Sequence, residues 1–144
     1  MAVLFDSSVY IAVLRANDEP IAKLRAAAHD AVVWMSSVVL AELYAGAVGP
    51  DVGRVERLEF HYRRCGRTLV PNLSDWSQTG GVLAQLGSKY GYEHIGKGRL
   101  TNDALIAVSA GRMGITVVTV NERDFRRLAE FRPFQWRTAT ALRA

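Results

Sequence analysis

Cysteine is almost missing from this chain. Cys65 is the one thiol in 144 residues, so no internal disulfide can form and no thiolate pair can hold a soft metal. That usage is compatible with a reducing compartment and leads us to expect a cytoplasmic protein. Histidine is scarce as well: His29, His61 and His94 share no metal-ligand spacing, and each reads as a surface or packing residue. No basic leader is readable, since Met1-Ala2-Val3-Leu4-Phe5-Asp6 meets an acid at once. The longest weakly charged stretch, Ala31 to Gly49, carries Glu42 deep inside and is split by Ser36-Ser37. It therefore reads as a buried strand followed by a buried helix, not as a membrane span. Internal repeats, low-complexity tracts and interdomain linkers are all lacking, which makes residues 1–144 a single domain with 49% hydrophobic content to build its core.

Positive charge is unevenly spread. No Lys or Arg stands between Ala26 and Gly53, whereas Arg54, Arg57, Arg63, Arg64 and Arg67 crowd the next segment. The formal net charge of +4 permits nucleic-acid binding without demonstrating it. The arginine cluster is either a solvated helix face partly paired with Glu56 and Glu59 or a surface for phosphates.

What is present alternates between strand and helix patterns. Val3-Leu4-Phe5 is a short apolar run closed by Asp6-Ser7-Ser8, and Val9 to Leu14 continues with helical character. Pro20 opens a second helix toward Ala28. Val32 to Met35 reads as a second strand, Val38 to Val48 as the helix that it feeds, and Pro50-Asp51 as the start of a helix to about Arg64. Thr68 to Pro71 is a third strand. Ser74-Asp75 opens a long helix to Tyr90, with Asp75 an ordinary first-turn acid. Gly91 to Arg99 is a loop whose Lys97 and Arg99 give a cationic approach to Asp103. Thr101 and Asn102 suit the cap of a helix from about Asp103 to Met113, with the Asp103 carboxylate in its first turn. Ile115 to Thr119 is a β-branched strand, Val120 to Phe125 the turn into another helix, and Pro133 through Trp136 to Thr138 an edge strand.

This order gives an α/β protein with helices in layers on both sides of a mostly parallel sheet. Asp6, the start of the Asp103 helix and the Asn121 to Asp124 turn then fall on one sheet edge, where open α/β sheets keep their sites. Glu42, whose helical neighbours Val38, Val39, Ala45 and Gly46 are uncharged, is expected to be buried and able to reach the same edge. Carboxylates gathered there repel unless a cation sits among them, and an all-oxygen set favours Mg²⁺ or Mn²⁺ over zinc.

With those positions assembled, the sequence resembles the PIN-domain ribonucleases, and among them the VapC-type toxins of toxin-antitoxin pairs. The resemblance spans nearly the whole chain and rests on Val3-Leu4-Phe5-Asp6-Ser7-Ser8, Ser36 to Glu42-Leu43, Thr101-Asn102-Asp103-Ala104-Leu105-Ile106-Ala107 and Val118-Thr119-Val120-Asn121-Glu122-Arg123-Asp124-Phe125. It implies a three-layer α/β/α PIN-like domain. It also implies a Mg²⁺-dependent endoribonuclease that leaves a 3′-hydroxyl and a 5′-phosphate, with Mn²⁺ as a substitute ion. Asp6 and Asp103 would be the principal metal ligands, Glu42 and Asp124 would complete the acidic site, and Ser8 and Thr101 would be hydroxyl partners. Two residues after Thr119, where many relatives carry Asp, this chain has Asn121; whether Asn121 or Asp124 is the fourth site residue is open, and so is the number of ions. RNA would be the substrate, positioned by basic residues such as Arg63 and Arg64. A cognate antitoxin and homodimerisation are further implications. The rival reading is a non-catalytic PIN-like module that binds RNA or protein. A receiver-type phosphoacceptor domain fits less well, because Asp6-Ser7-Ser8 lacks the adjacent acids that such a domain places after its first strand.

Overall fold

Four apolar runs, each too short to bury a helix face, settle into strands, and a fifth short strand closes one side of the sheet. The computed structural model describes residues 1–93 and 99–139, with Arg99 described by its backbone only. In chain order the strands are β1 (Ala2–Phe5), β2 (Val32–Ser36), β3 (Thr68–Leu69), β4 (Thr116–Thr119) and β5 (Trp136–Thr138). The helices are α1 (Ser7–Arg15), α2 (Pro20–Ala27), α3 (Ser37–Gly46), α4 (Pro50–Cys65), α5 (Leu73–Tyr90), α6 (Arg99–Met113) and α7 (Glu122–Phe131). His94 and Lys97, which the sequence assigns to a loop, lie outside the described residues.

The sheet order is β3-β2-β1-β4-β5, and every neighbouring pair is parallel. Parallel neighbours need crossover helices, and right-handed crossovers place them by the direction in which the chain steps across the sheet. From β1 to β2 to β3 the chain steps one way, which puts α1 to α4 on one face. From β3 to β4 to β5 it steps back, which puts α5 to α7 on the other. The three-layer α/β/α arrangement results, with Val3, Leu4, Phe5, Met35, Val117 and Val118 forming the buried middle of the sheet. Among the described residues no helix is long and apolar enough to cross a membrane.

Such a reversal of stepping direction opens a crevice at the carboxyl ends of the strands on either side of it. Here those strands are β1 and β4. The residues just beyond them are Asp6 and the turn at Val120-Asn121, so the topology itself aims polar side chains into one place.

Three expectations need correction. The helix carrying Asp103 starts at Arg99, not at Asp103. Leu100 packs against the core and draws the chain into helix one turn early. Thr101 and Asn102 are therefore helical residues, not caps, and Asp103 belongs to the second turn. The third strand is only Thr68–Leu69, because Pro71 has no N–H for a ladder and Val70 is left 63% exposed. Glu42 is half-buried instead of buried, since only Val39 and Leu43 of α3 are fully covered.

The arginine cluster divides by task. Arg54 donates to the carbonyls of Leu14 at 3.1 Å and Asp18 at 2.6 Å and pairs with Asp51, which fastens α4 to the turn between α1 and α2. Arg67 lies over the Trp34 ring. Arg63 faces Glu59 at 3.7 Å on the exposed side of α4, and Arg64 is exposed beside it.

Candidate functional site

Register sets the site. Leu4 pairs with Val117 and Phe5 with Val118, so the next residue of each strand's path, Asp6 and Thr119, stand abreast. The Asp6 N–H continues the ladder to the Val118 carbonyl at 3.1 Å. Asp6 occupies the N-cap position of α1, yet its side chain makes no capping hydrogen bond. Its two oxygens are taken up by hydroxyls: Ser8 donates to Oδ1 and Thr119 to Oδ2 at 2.6 Å. Each hydroxyl accepts in turn, Thr119 from the Asn121 N–H at 2.8 Å and Ser8 from the Val120 N–H at 3.4 Å.

Asp6 is 2% exposed. Burial pushes its carboxyl above the usual 3.8, while the Ser8 and Thr119 hydroxyls and the backbone N–H groups of Val9 and Ser8 pull the other way. Burial wins because neutral donors compensate a buried carboxylate less than bulk water does. This is a carboxylate positioned at some electrostatic cost.

The network extends through Asn121. Its side-chain Nδ2 donates to Asp124 Oδ2 at 3.0 Å and to Asp103 Oδ2 at 3.4 Å. Asn121 is the N-cap of α7 and, like Asp6, makes no side-chain capping bond. Asp124 is in the first turn of the same helix. Asp103 is 4% exposed on α6, within a run from Asp103 to Ala110 that is buried on all sides. The turn at Gly114, with φ of 67°, returns α6 directly to β4, so the first turns of α6 stand beside the carboxyl end of that strand.

The structure thus joins Asp6, Ser8, Asn121, Asp103 and Asp124 in one hydrogen-bonded chain. Thr119 is its middle link and was not among the residues singled out from the sequence. The only signal for it was its position at the end of a β-branched run, which the strand itself explains; its function comes from register. The hydroxyl partners of Asp6 are Ser8 and Thr119, and Thr101 stands half-buried in the first turn of α6, two residues before Asp103.

Glu42 comes from α3. With Ile11, Leu14, Arg15, Leu43 and Asp51 it lines a cavity of about 200 Å³ between α1, α3 and α4, which Asp6 and Asp103 do not line. Arg63 and Arg64 end α4, where the chain enters β3, so they sit by the amino edge of the sheet, opposite the Asp6 edge. Among the described residues no three Asp, Glu, His or Cys side chains are grouped closely enough to hold an ion as a ready cage. The donors that do converge are all hard oxygens, from carboxylates, hydroxyls and an amide.

No curated protein sequence matches the chain. Solved structures do. A chain of the DNA-bound VapBC structure from Salmonella typhimurium aligns with a TM-score of 0.69 at 24% identity, over 96% of this chain and 98% of that one. A chain of VapBC2 from Rickettsia felis, bound to a promoter DNA fragment, gives 0.66 at 20% identity over 96% and 98%. VapBC-1 from nontypeable Haemophilus influenzae gives 0.62 at 22% identity over 97% and 99%. These likenesses establish a shared fold along the full length. The family model described as PIN domain matches residues 3–131, a span that takes in both strands of the crevice and the acids Asp6, Glu42, Asp103 and Asp124, and on that match the chain belongs to the PIN domain family.

Proposed function

We propose that the chain is a Mg²⁺-dependent endoribonuclease, with Mn²⁺ able to replace Mg²⁺, acting as the toxin of a type II toxin-antitoxin pair. The observation that carries this reading is the Asp6 side chain. Both of its oxygens accept from side-chain hydroxyls, those of Ser8 and Thr119, which a helix N-cap does not call for, and through Thr119 and Asn121 it joins Asp103 and Asp124.

The residues fit a hard divalent ion by chemistry. Mg²⁺ keeps most of its water and is commonly bound through one or two carboxylates plus the phosphates of the substrate, so a closed cage of acids is not required. Asp6 and Asp103 are the proposed ligands, and Asp124 and Glu42 contribute negative potential around them. When bound, the ion would supply Lewis acidity to the phosphodiester and lower the pKa of a bound water. The chain's own part is positional. Ser8 and Thr119 fix both oxygens of Asp6, and Asn121 fixes one oxygen of Asp103. The parallel sheet and the buried α6 hold those two acids on rigid elements. Attack by water on phosphorus with departure of the ribose 3′-oxygen leaves a 3′-hydroxyl and a 5′-phosphate, the products that the family resemblance implies.

The partners follow from the kinds of assembly it resembles. The aligned structures are VapBC assemblies, two of them with DNA, which supports a cognate antitoxin that covers the crevice. A homodimer and a cytoplasmic location accompany that reading. Arg63 and Arg64 would contact RNA phosphates remote from the point of cleavage.

The deciding experiment is RNA cleavage by the purified full chain with and without EDTA, with end analysis of the fragments. Cleavage that stops with EDTA, returns with Mg²⁺ or Mn²⁺ and leaves 5′-phosphates supports the proposal. Chelator-resistant cleavage overturns the metal role, and RNA binding without cleavage under any ion would make the chain a PIN-like binding module.

A further inference from the structure

We infer that the Asn121 carboxamide takes the place of a second cation between Asp103 and Asp124, so that the site loads one divalent ion per chain. The inference rests on the metal-dependent reading of the site and concerns how many ions it accepts. Its basis is one nitrogen: Asn121 Nδ2 donates to Asp124 Oδ2 at 3.0 Å and to Asp103 Oδ2 at 3.4 Å.

Ionised carboxylates only accept hydrogen bonds, so the face of the amide turned toward both acids must be the NH₂ group, and the orientation of the side chain is fixed by chemistry. The backbone is fixed as well, because the Asn121 N–H is held by Thr119 Oγ1, which is itself committed to Asp6. The donor is therefore preorganised and has little freedom to swing aside. A bridging N–H pair between two acids does part of what a cation would do there. It lowers their mutual repulsion and supplies hydrogen to both, without adding net charge.

A second ion between Asp103 and Asp124 would have to displace this amide and forfeit both hydrogen bonds. The charge count argues the same way. With Asn at position 121 the connected network carries the carboxylates of Asp6, Asp103 and Asp124; with Asp it would carry one more and lose the internal donor. One divalent ion offsets most of the first set, whereas the second leaves enough uncompensated charge to hold two.

Mn²⁺ binding to the full-length chain, counted from the loss of the free-ion signal in electron paramagnetic resonance, tests this. The expected count is one Mn²⁺ per chain for the native sequence and two for Asn121→Asp. Asn121→Asp should also melt at a lower temperature than the native chain in EDTA and gain more from added Mn²⁺. Two ions on the native chain, which needs no variant to measure, would overturn the inference and leave the metal-dependent reading standing. A folded Asn121→Asp variant that still takes one would do the same. No ion on the native chain would overturn both.

Discussion

Arg112→Met offers a sharp test of how the helix bearing Asp103 is held. Asp75 is fully buried near the start of α5, and Arg112 near the end of α6 reaches it with Nε at 3.0 Å from each carboxylate oxygen and a terminal nitrogen at 3.0 Å from Oδ2. The same carboxylate closes a capping box with Asn72, whose N–H it accepts at 3.0 Å. Methionine keeps the aliphatic stem of Arg112 and removes the charge and the donors, which leaves Asp75 buried with the coulombic pull of Arg132 as the only cationic one acting on it. Breaking a buried pair from one side costs about 3–5 kcal/mol. Because the Arg112 side chain is 33% exposed and the Asn72 N–H remains, the low end of about 3 kcal/mol applies. For a domain of this size that lowers Tm by about 6–12 °C. The effect should depend on pH in a set direction. Burial alone would raise the Asp75 carboxyl, but Arg112 holds it below 3.8 in the native chain, so its contribution to stability is present above 3.8 and is lost as pH falls through the lowered folded value. In the variant, burial acts without the Arg, the carboxyl moves up, and protonation relieves the stranded charge. The gap in Tm between native and variant should be widest at neutral pH and close as pH falls toward 3.8 and below. Thermal melts by circular dichroism across pH measure it. A gap of under about 2 °C at neutral pH, or one that does not narrow in acid, would show that this pair does not hold α5 to α6 as argued.

Substitution of the acids should separate chemistry from folding. Asp6→Asn and Asp103→Asn are each expected to reduce RNA cleavage by more than about 100-fold, beyond the usual effect of altering a residue that only orients a ligand, with circular dichroism unchanged; cleavage at the native rate would remove that residue from the site. Burial holds the Asp6 carboxyl above 3.8, so ionising it weakens the metal-free fold as pH rises past 3.8, and Asp6→Asn should abolish that part of the decline in Tm. Arg63→Ala with Arg64→Ala should barely move Tm, since the Arg63–Glu59 pair is exposed. It should lower the slope of log affinity for single-stranded RNA against log salt by about 0.7 for each arginine that meets a phosphate. An unchanged slope would assign both to the solvated face of α4.

Much of the fold was legible because its strands are short runs of aliphatic and β-branched residues bounded by unambiguous turns. Ile115 to Thr119 is the plainest case, and nothing but a strand suits it. Alternation with helices then dictates a parallel sheet. Helix ends were harder to read, for a reason visible at Thr101 and Asn102. Both are good caps in isolation, but the packing of Leu100 against the core outweighs the capping preference and starts α6 at Arg99. A two-residue β3 was beyond any reading of Thr68 to Pro71, because pairing with Met35 and Ser36 is a property of the neighbour strand.

The acids illustrate a different limit. Asp6 was identifiable because Ser7 and Ser8 were available for capping, which made the carboxylate superfluous to helix initiation; the structure commits both of its oxygens to the Ser8 and Thr119 hydroxyls. Thr119 carried no such surplus. A threonine at the end of a β-branched run is fully accounted for by the strand, and only the pairing of Phe5 with Val118 places its hydroxyl against Asp6 across 113 positions of sequence. Asn121 stood out against the Asp that the family resemblance implies there, yet that departure alone left its role undecided between ligand and bystander. Its donor contacts to both Asp103 and Asp124 supply a third possibility that neither composition nor spacing could express, an uncharged group that keeps two carboxylates together. A site of this kind is written in the register of two parallel strands as much as in the identity of its acids. A one-residue slip between β1 and β4 would move Thr119 off Asp6 and release Asn121 from its anchor, with every candidate ligand still present in the sequence.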